Sequence, residues 1–141
     1  MKVSRYIYLT ATWLFLGGVV AQVFLAGMAA VANRLSWSYH AGFGHMIAAP
    51  LLVMLISQYP ARLPGRMKRL TWLLFAVYAL QADVIIFLRS AAPVVSAFHP
   101  VLALFDFVLI VALARAAWPL ARQVKAQLEM QPEMNPQTPA D

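Results

Sequence analysis

The chain has 141 residues, of which 62% are hydrophobic and only 11% are charged, and its formal net charge is +6. Such a composition excludes an ordinary soluble domain of this length and indicates a protein whose solvent is mostly lipid. The basic residues lie at the ends of apolar segments and form no continuous face, which is typical of membrane topology signals and argues against nucleic-acid binding.

Four apolar segments are each long enough to cross a bilayer as a helix. A hydrocarbon core of about 30 Å needs about 20 apolar residues, and the predicted spans are residues 6–32, 39–58, 70–88 and 100–120. The first apolar stretch is too long for a cleaved signal peptide, whose apolar region is about 7–15 residues. The predicted fold is therefore all-α, an integral membrane four-helix bundle formed by residues 1–120.

Beyond Leu120 the chain becomes polar and then rich in proline. Residues 121–141 are predicted to form a cytoplasmic tail, whose first part extends the last helix to about Met130. From about residue 131 the tail is expected to be disordered, because it has too few apolar side chains to pack.

The basic residues also predict the direction of the spans. The two loops between spans 1 and 2 and between spans 3 and 4 carry only Arg34 and Arg89. The other ends of the spans carry Lys2, Arg5, Arg62, Arg66, Lys68, Arg69, Arg115, Arg122 and Lys125. By the positive-inside rule, both termini and the middle loop are then cytoplasmic, in a multi-pass protein of the cytoplasmic (inner) membrane.

A shift of 59 positions aligns Gln22 with Gln81 and His40 with His99. In each half, a Gln within a span is followed 18 residues later by a His at the outer start of the next span. Both halves run from the inside to the outside and back. We therefore predict a two-helix tandem repeat with a pseudo-twofold axis along the membrane normal.

The repeat places His40 and His99 at one level on the second and fourth helices. Facing imidazoles in a four-helix bundle are suitable axial ligands of b-type haem, and Gly42 and Gly44 are small enough to admit a flat ring. His45 is the reserve ligand, although five residues of helix turn it about 140° away from His40. The alternative is that the small residues and the interfacial histidines serve only helix packing.

Several short motifs resemble an uncharacterised bacterial family of four-helix membrane proteins, described only as a domain of unknown function. The motifs are Gln22–Gly27, His40-x-x-x-Gly44-His45, Gln81 and His99-Pro100-Val101. One His on helix 2 and one on helix 4 also resembles one half of haem A synthase, which implies that His40 and His99 are axial haem ligands.

The chain departs from that resemblance in two ways. Leu102 stands where a small or amide residue is expected after Val101, and the catalytic carboxylate of haem A synthase has no clear counterpart. The resemblance therefore does not imply an oxygenating enzyme.

His45, Asp83 and Asp106 form a second polar group, about 9–10 Å inward of the outer ends of their helices. Ionisable residues at this depth are costly and are functional candidates. Asp106 lies two turns from His99 on one helix face, and we expect it to face the core and pair with His45 or Asp83. Four interpretations remain open: a pair that locks the helices, a proton path beneath a haem, a cation-coupled transport site, and a His–Asp–Asp metal site.

The sequence thus predicts a membrane protein that binds haem b and either transfers electrons or carries haem within a larger complex. Its predicted polar core contains Gln22, Gln81, Asp83 and Asp106. The alternatives are a non-catalytic structural membrane subunit and a small proton-coupled or cation-coupled transporter. The expected partners are the lipid bilayer and either another membrane protein or a second copy of this chain, with no nucleic acid.

Overall fold

A computed structural model of the chain describes residues 2–129. Helix 1 is Lys2–Ala30 and helix 2 is Trp37–Ser57. Helix 3 begins as Gly65–Ala79, passes through a π-helical turn at Leu80–Val84 and ends as Ile85–Leu88. Helix 4 is Phe98–Glu129 and follows a 3₁₀ turn at Pro93–Ala97. The predicted disorder from residue 131 lies outside the described residues.

Each helix is long and apolar enough to cross a bilayer. The candidate spans are Val3–Ala30, Trp37–Ser57, Gly65–Leu88 and Pro93–Leu120. Large apolar side chains are also exposed on the outer surface of the bundle, among them Val23, Phe24, Ile56, Phe87 and Leu104. Helices that are apolar all round are typical of spans in contact with lipid. The protein is therefore an all-α, multi-pass membrane protein, as the sequence predicted.

The packing places helices 2 and 4 diagonally across the bundle. Helix 1 packs mainly against helices 2 and 4, and helix 3 packs against helix 4 and less extensively against helix 2. Helices 2 and 4, which carry His40 and His99, therefore face each other across the bundle axis.

Local capping explains the tight connection between helices 1 and 2. Asn33 adopts a left-handed conformation, with φ of 49°, and the Arg34 N–H donates to the Met28 carbonyl. A left-handed residue just past the last turn commonly ends a helix, and this hydrogen bond satisfies one of the carbonyls that the helix end leaves without a partner. Ser36 then caps helix 2 by accepting from the Ser38 N–H. The short connection leaves His40 in the first turn of helix 2, beside the last turns of helix 1.

The apolar core lies at the end of the bundle that carries the N-terminus and the connection between helices 2 and 3. Its fully buried large side chains include Tyr8, Phe15, Leu51, Met54, Leu74, Ile110 and Leu113. A 2.7 Å hydrogen bond between the Tyr8 hydroxyl and Thr71 Oγ1 joins helices 1 and 3 within this core. The histidines lie at the opposite end.

Candidate functional site

The structure brings His40 and His99 together. Their ring centroids are 6.1 Å apart and their planes are inclined at 75°. Both side chains are partly buried, and Trp37 packs edge-on against His40 with a centroid distance of 5.7 Å. The two imidazoles therefore form one site between diagonal helices.

Each imidazole is held by the backbone of the glutamine that precedes it by 18 residues. His40 Nδ1 lies 3.2 Å from the Gln22 carbonyl oxygen, and His99 Nδ1 lies 3.0 Å from the Gln81 carbonyl oxygen. A carbonyl oxygen can only accept, so each Nδ1 carries the proton in these contacts. In the neutral ring each Nε2 then keeps its lone pair, which is the arrangement that suits metal binding.

Asp106 is fully buried and pairs with Gln81. Its Oδ2 accepts a 2.6 Å hydrogen bond from Gln81 Nε2. Gln81 therefore makes two contacts, through its backbone carbonyl to His99 and through its side-chain amide to Asp106. It lies in the π-helical turn Leu80–Val84, a rare geometry that is frequent at functional sites. No residue pattern in this segment predicted the π-helical turn.

The predicted partners of Asp106 were wrong. His45 is exposed, and its Nδ1 donates to the carbonyl of Ala41 in its own helix at 2.8 Å. Asp83 is also exposed, because two residues of helix turn it to the side opposite Gln81.

The interpretation of these three residues as a His–Asp–Asp metal site, one of the four left open, is wrong for the same reason. Its His45 and Asp83 are exposed, whereas Asp106 is buried inside the bundle. Within residues 2–129, the His, Cys, Asp and Glu side chains form no group of three or more that could hold a metal ion.

The two glycines of helix 2 have different surroundings. A Cβ at Gly44 would lie 2.6 Å from Gln22 Nε2, and the Gly44 carbonyl accepts a hydrogen bond from the Tyr78 hydroxyl. A Cβ at Gly42 would meet nothing within 4 Å. Gly44 therefore makes room for the Gln22 side chain, whereas the space beside Gly42 is open.

Three buried oxygen atoms near the histidines lack a hydrogen-bond donor among the described residues. They are Gln22 Oε1, Gln81 Oε1 and Asp106 Oδ1. A buried polar atom without a partner costs about 1–3 kcal/mol. This end of the bundle is therefore rich in acceptors and poor in donors.

Four apolar spans with an imidazole pair and a buried acid at one end define a polytopic helical membrane protein. Residues 22–87 match the model of a family of unknown function, DUF6220. The matched segment includes Gln22, His40 and Gln81 and ends before His99 and Asp106, so the predicted resemblance to an uncharacterised family is confirmed over this segment. No curated protein and no solved structure matches the chain. The likeness to haem A synthase stays a prediction.

Proposed function

We propose that the protein binds one b-type haem through His40 and His99, and that it transfers electrons or carries haem in the membrane. The observation that supports this proposal is the contact that each imidazole makes with a backbone carbonyl. Each Nδ1–H is held by a backbone carbonyl, which is a usual partner for the second nitrogen of a metal-bound histidine. Two neutral Nε2 atoms on facing helices are a suitable donor set for haem iron.

The spacing of the rings supports the same proposal. Two imidazoles that bound one iron would have their rings close together, because each Fe–N bond would be near the ~2.0–2.1 Å found for imidazole on zinc. The observed distance between the two ring centroids is 6.1 Å. Two aromatic rings in direct contact also have centroids roughly 4.5–7 Å apart. A spectrum is therefore needed to distinguish two imidazoles bound to haem from two imidazoles in direct contact.

Haem bound at this site would supply one-electron redox chemistry. The backbone carbonyls of Gln22 and Gln81 would hold the two imidazoles in the Nδ1–H tautomer, and Trp37 would pack edge-on against His40. A partner protein in the membrane, or a second copy of this chain, would give or accept the electron.

We also propose that the protein lies in the bacterial cytoplasmic membrane with both termini inside. The concentration of Arg and Lys at the N-terminus, in the middle loop and at the end of helix 4 supports this direction. The histidine site would then lie in the outer half of the bundle. The matching His–Gln contacts in the two halves of the chain support a tandem repeat with its axis along the membrane normal.

The test is the visible spectrum of the full chain, expressed with ample haem and purified in detergent. The expected result is a Soret band with the features of low-spin, bis-histidine haem, at one haem per chain. A purified protein without a Soret band would overturn the proposal. The structural-subunit function would then lead, because the His–Gln contacts also fasten helix 1 to helix 2 and helix 3 to helix 4.

A further inference from the structure

The contact between Gln81 and Asp106 leaves one oxygen of each side chain without a donor. Gln81 Nε2 donates to Asp106 Oδ2, but Gln81 Oε1 and Asp106 Oδ1 have no hydrogen-bond partner among residues 2–129. Gln81 is 8% exposed and Asp106 is 0% exposed. Both unpartnered atoms are therefore sealed inside the bundle.

An ionised Asp106 does not explain this arrangement. A carboxylate can only accept hydrogen bonds, and a buried carboxylate without a cation is costly inside a membrane span. Exchanging the oxygen and nitrogen of the Gln81 amide does not solve the problem either. Gln81 Oε1 would then face Asp106 Oδ2, and neither oxygen carries a proton to donate. One additional proton on Asp106 Oδ1 gives both oxygens a partner, because the Oδ1–H group can then donate to Gln81 Oε1.

We propose that Asp106 is a proton-binding site, with the proton on Oδ1 and donated to Gln81 Oε1. The two side chains then form a neutral acid–amide pair with two hydrogen bonds, one in each direction. Binding takes up one proton per chain and breaks no other bond. This site needs no haem, so it goes beyond the function proposed above.

The first half of the chain has no equivalent proton site. The 59-residue shift aligns Asp106 with Ile47, a buried apolar residue that packs against Gly18. Gln22 therefore holds its histidine without an acid beside it. The proton is bound only in the second half, where Gln81 contacts both Asp106 and His99.

Infrared spectroscopy of the full chain in lipid bilayers near neutral pH tests the proposal. The expected result is a carbonyl stretching band of a protonated carboxylic acid that shifts in D₂O. The background is small, because the chain has only 5 Asp and Glu residues. The band should be absent in Asp106→Asn and present in the matched control Asp83→Asn, whose side chain is exposed.

A second variant keeps the test decisive if Asp106→Asn fails to assemble. Gln81→Met removes the acceptor of the acid proton, so the acid band should move to higher wavenumber. A wild-type spectrum that shows only carboxylate bands would overturn the proposal, and so would an acid band that Gln81→Met leaves in place. The infrared measurement does not require haem. A missing acid band would therefore contradict only the proton site at Asp106, and a missing Soret band would contradict only haem binding.

Discussion

A histidine binds a metal through the nitrogen that keeps a lone pair, and the partner of the other nitrogen decides which one that is. For His40 and His99 the partners are backbone carbonyls. A carbonyl in a helix cannot be removed by replacing its side chain, and it does not change its role with pH. The backbone therefore favours the Nδ1–H tautomer of each neutral ring, which leaves the lone pair on Nε2, the nitrogen that would bind the proposed haem iron.

Each of the two histidines should be required for the low-spin spectrum of the proposed haem. We expect His40→Ala and His99→Ala each to remove the low-spin haem spectrum or convert it to high-spin, because each substitution deletes one of the two proposed ligands. His45→Ala is the matched control and should keep the spectrum, since His45 is exposed and contacts its own helix. Absorption spectra of the purified variants measure this. Loss of haem in His45→Ala with retention in His40→Ala would contradict the ligand assignment.

Asp106 should contribute measurably to stability. Asp106→Leu leaves the Gln81 amide buried without a partner, and we expect a loss of about 1–3 kcal/mol in the free energy of unfolding. Denaturant titration in mixed micelles measures it, with the exposed Asp83→Leu as the control of near-zero effect. The double variant with Gln81→Leu should lose less than the sum of the single losses, because the two residues act as a pair. Simple additivity would show that they do not.

At the scale of elements, helices 1 and 2 approach closely at one glycine. A Cβ added at Gly18 would lie 2.7 Å from Ile47 Cγ2 and 3.3 Å from Ile47 Cβ, whereas one added at Gly17 would meet nothing within 4 Å. The branched Ile47 side chain is stiff at χ1 and cannot move aside cheaply. Gly18 therefore sets the distance between the two helices.

Adjacent glycines allow a matched comparison of this contact. Gly18→Ala should destabilise the bundle by about 1–3 kcal/mol through overpacking. Gly17→Ala should be neutral or slightly stabilising, since Ala is the better helix former by up to about 1 kcal/mol. Unfolding of the two variants under the same conditions measures the difference. Equal effects would mean that helices 1 and 2 do not meet at Gly18.

At the scale of the whole molecule, the two ends of the bundle differ in character. One end has the close-packed apolar core and the basic loop between helices 2 and 3, and the other has the histidines, the glutamines and the buried acid. The proposed topology places the basic end in the cytoplasm and the polar site in the outer half of the membrane.

Labelling of introduced cysteines tests this topology, and the chain has no cysteine of its own. In intact cells, a membrane-impermeant thiol reagent should label a cysteine at Ala91 and should not label one at Gly65. Both residues are exposed and lie at opposite ends of helix 3, so access to the reagent depends on sidedness. Labelling at Gly65 with protection at Ala91 would invert the proposed orientation.

The residue order alone was enough to predict the four spans and the two residues of the imidazole pair. In lipid, a spanning helix must satisfy its own backbone polar groups, so apolar length is enough to predict each helix. The 59-residue shift aligned His40 with His99, and Gln22 with Gln81. Both the spans and the repeat follow from the order of residues along the chain. Neither prediction requires the rotation of each helix about its own axis.

Which polar groups meet could not be predicted from the residue order and follows from the packing of the helices. Asp106 contacts Gln81, and neither His45 nor Asp83 reaches it. The choice depends on the rotation of each helix about its own axis, which the π-helical turn at Leu80–Val84 changes within helix 3. Hydropathy is nearly uniform around such helices, so it does not report their rotation. The rotation of each helix is set by its contacts with the other helices, because burying a polar atom without a partner is costly.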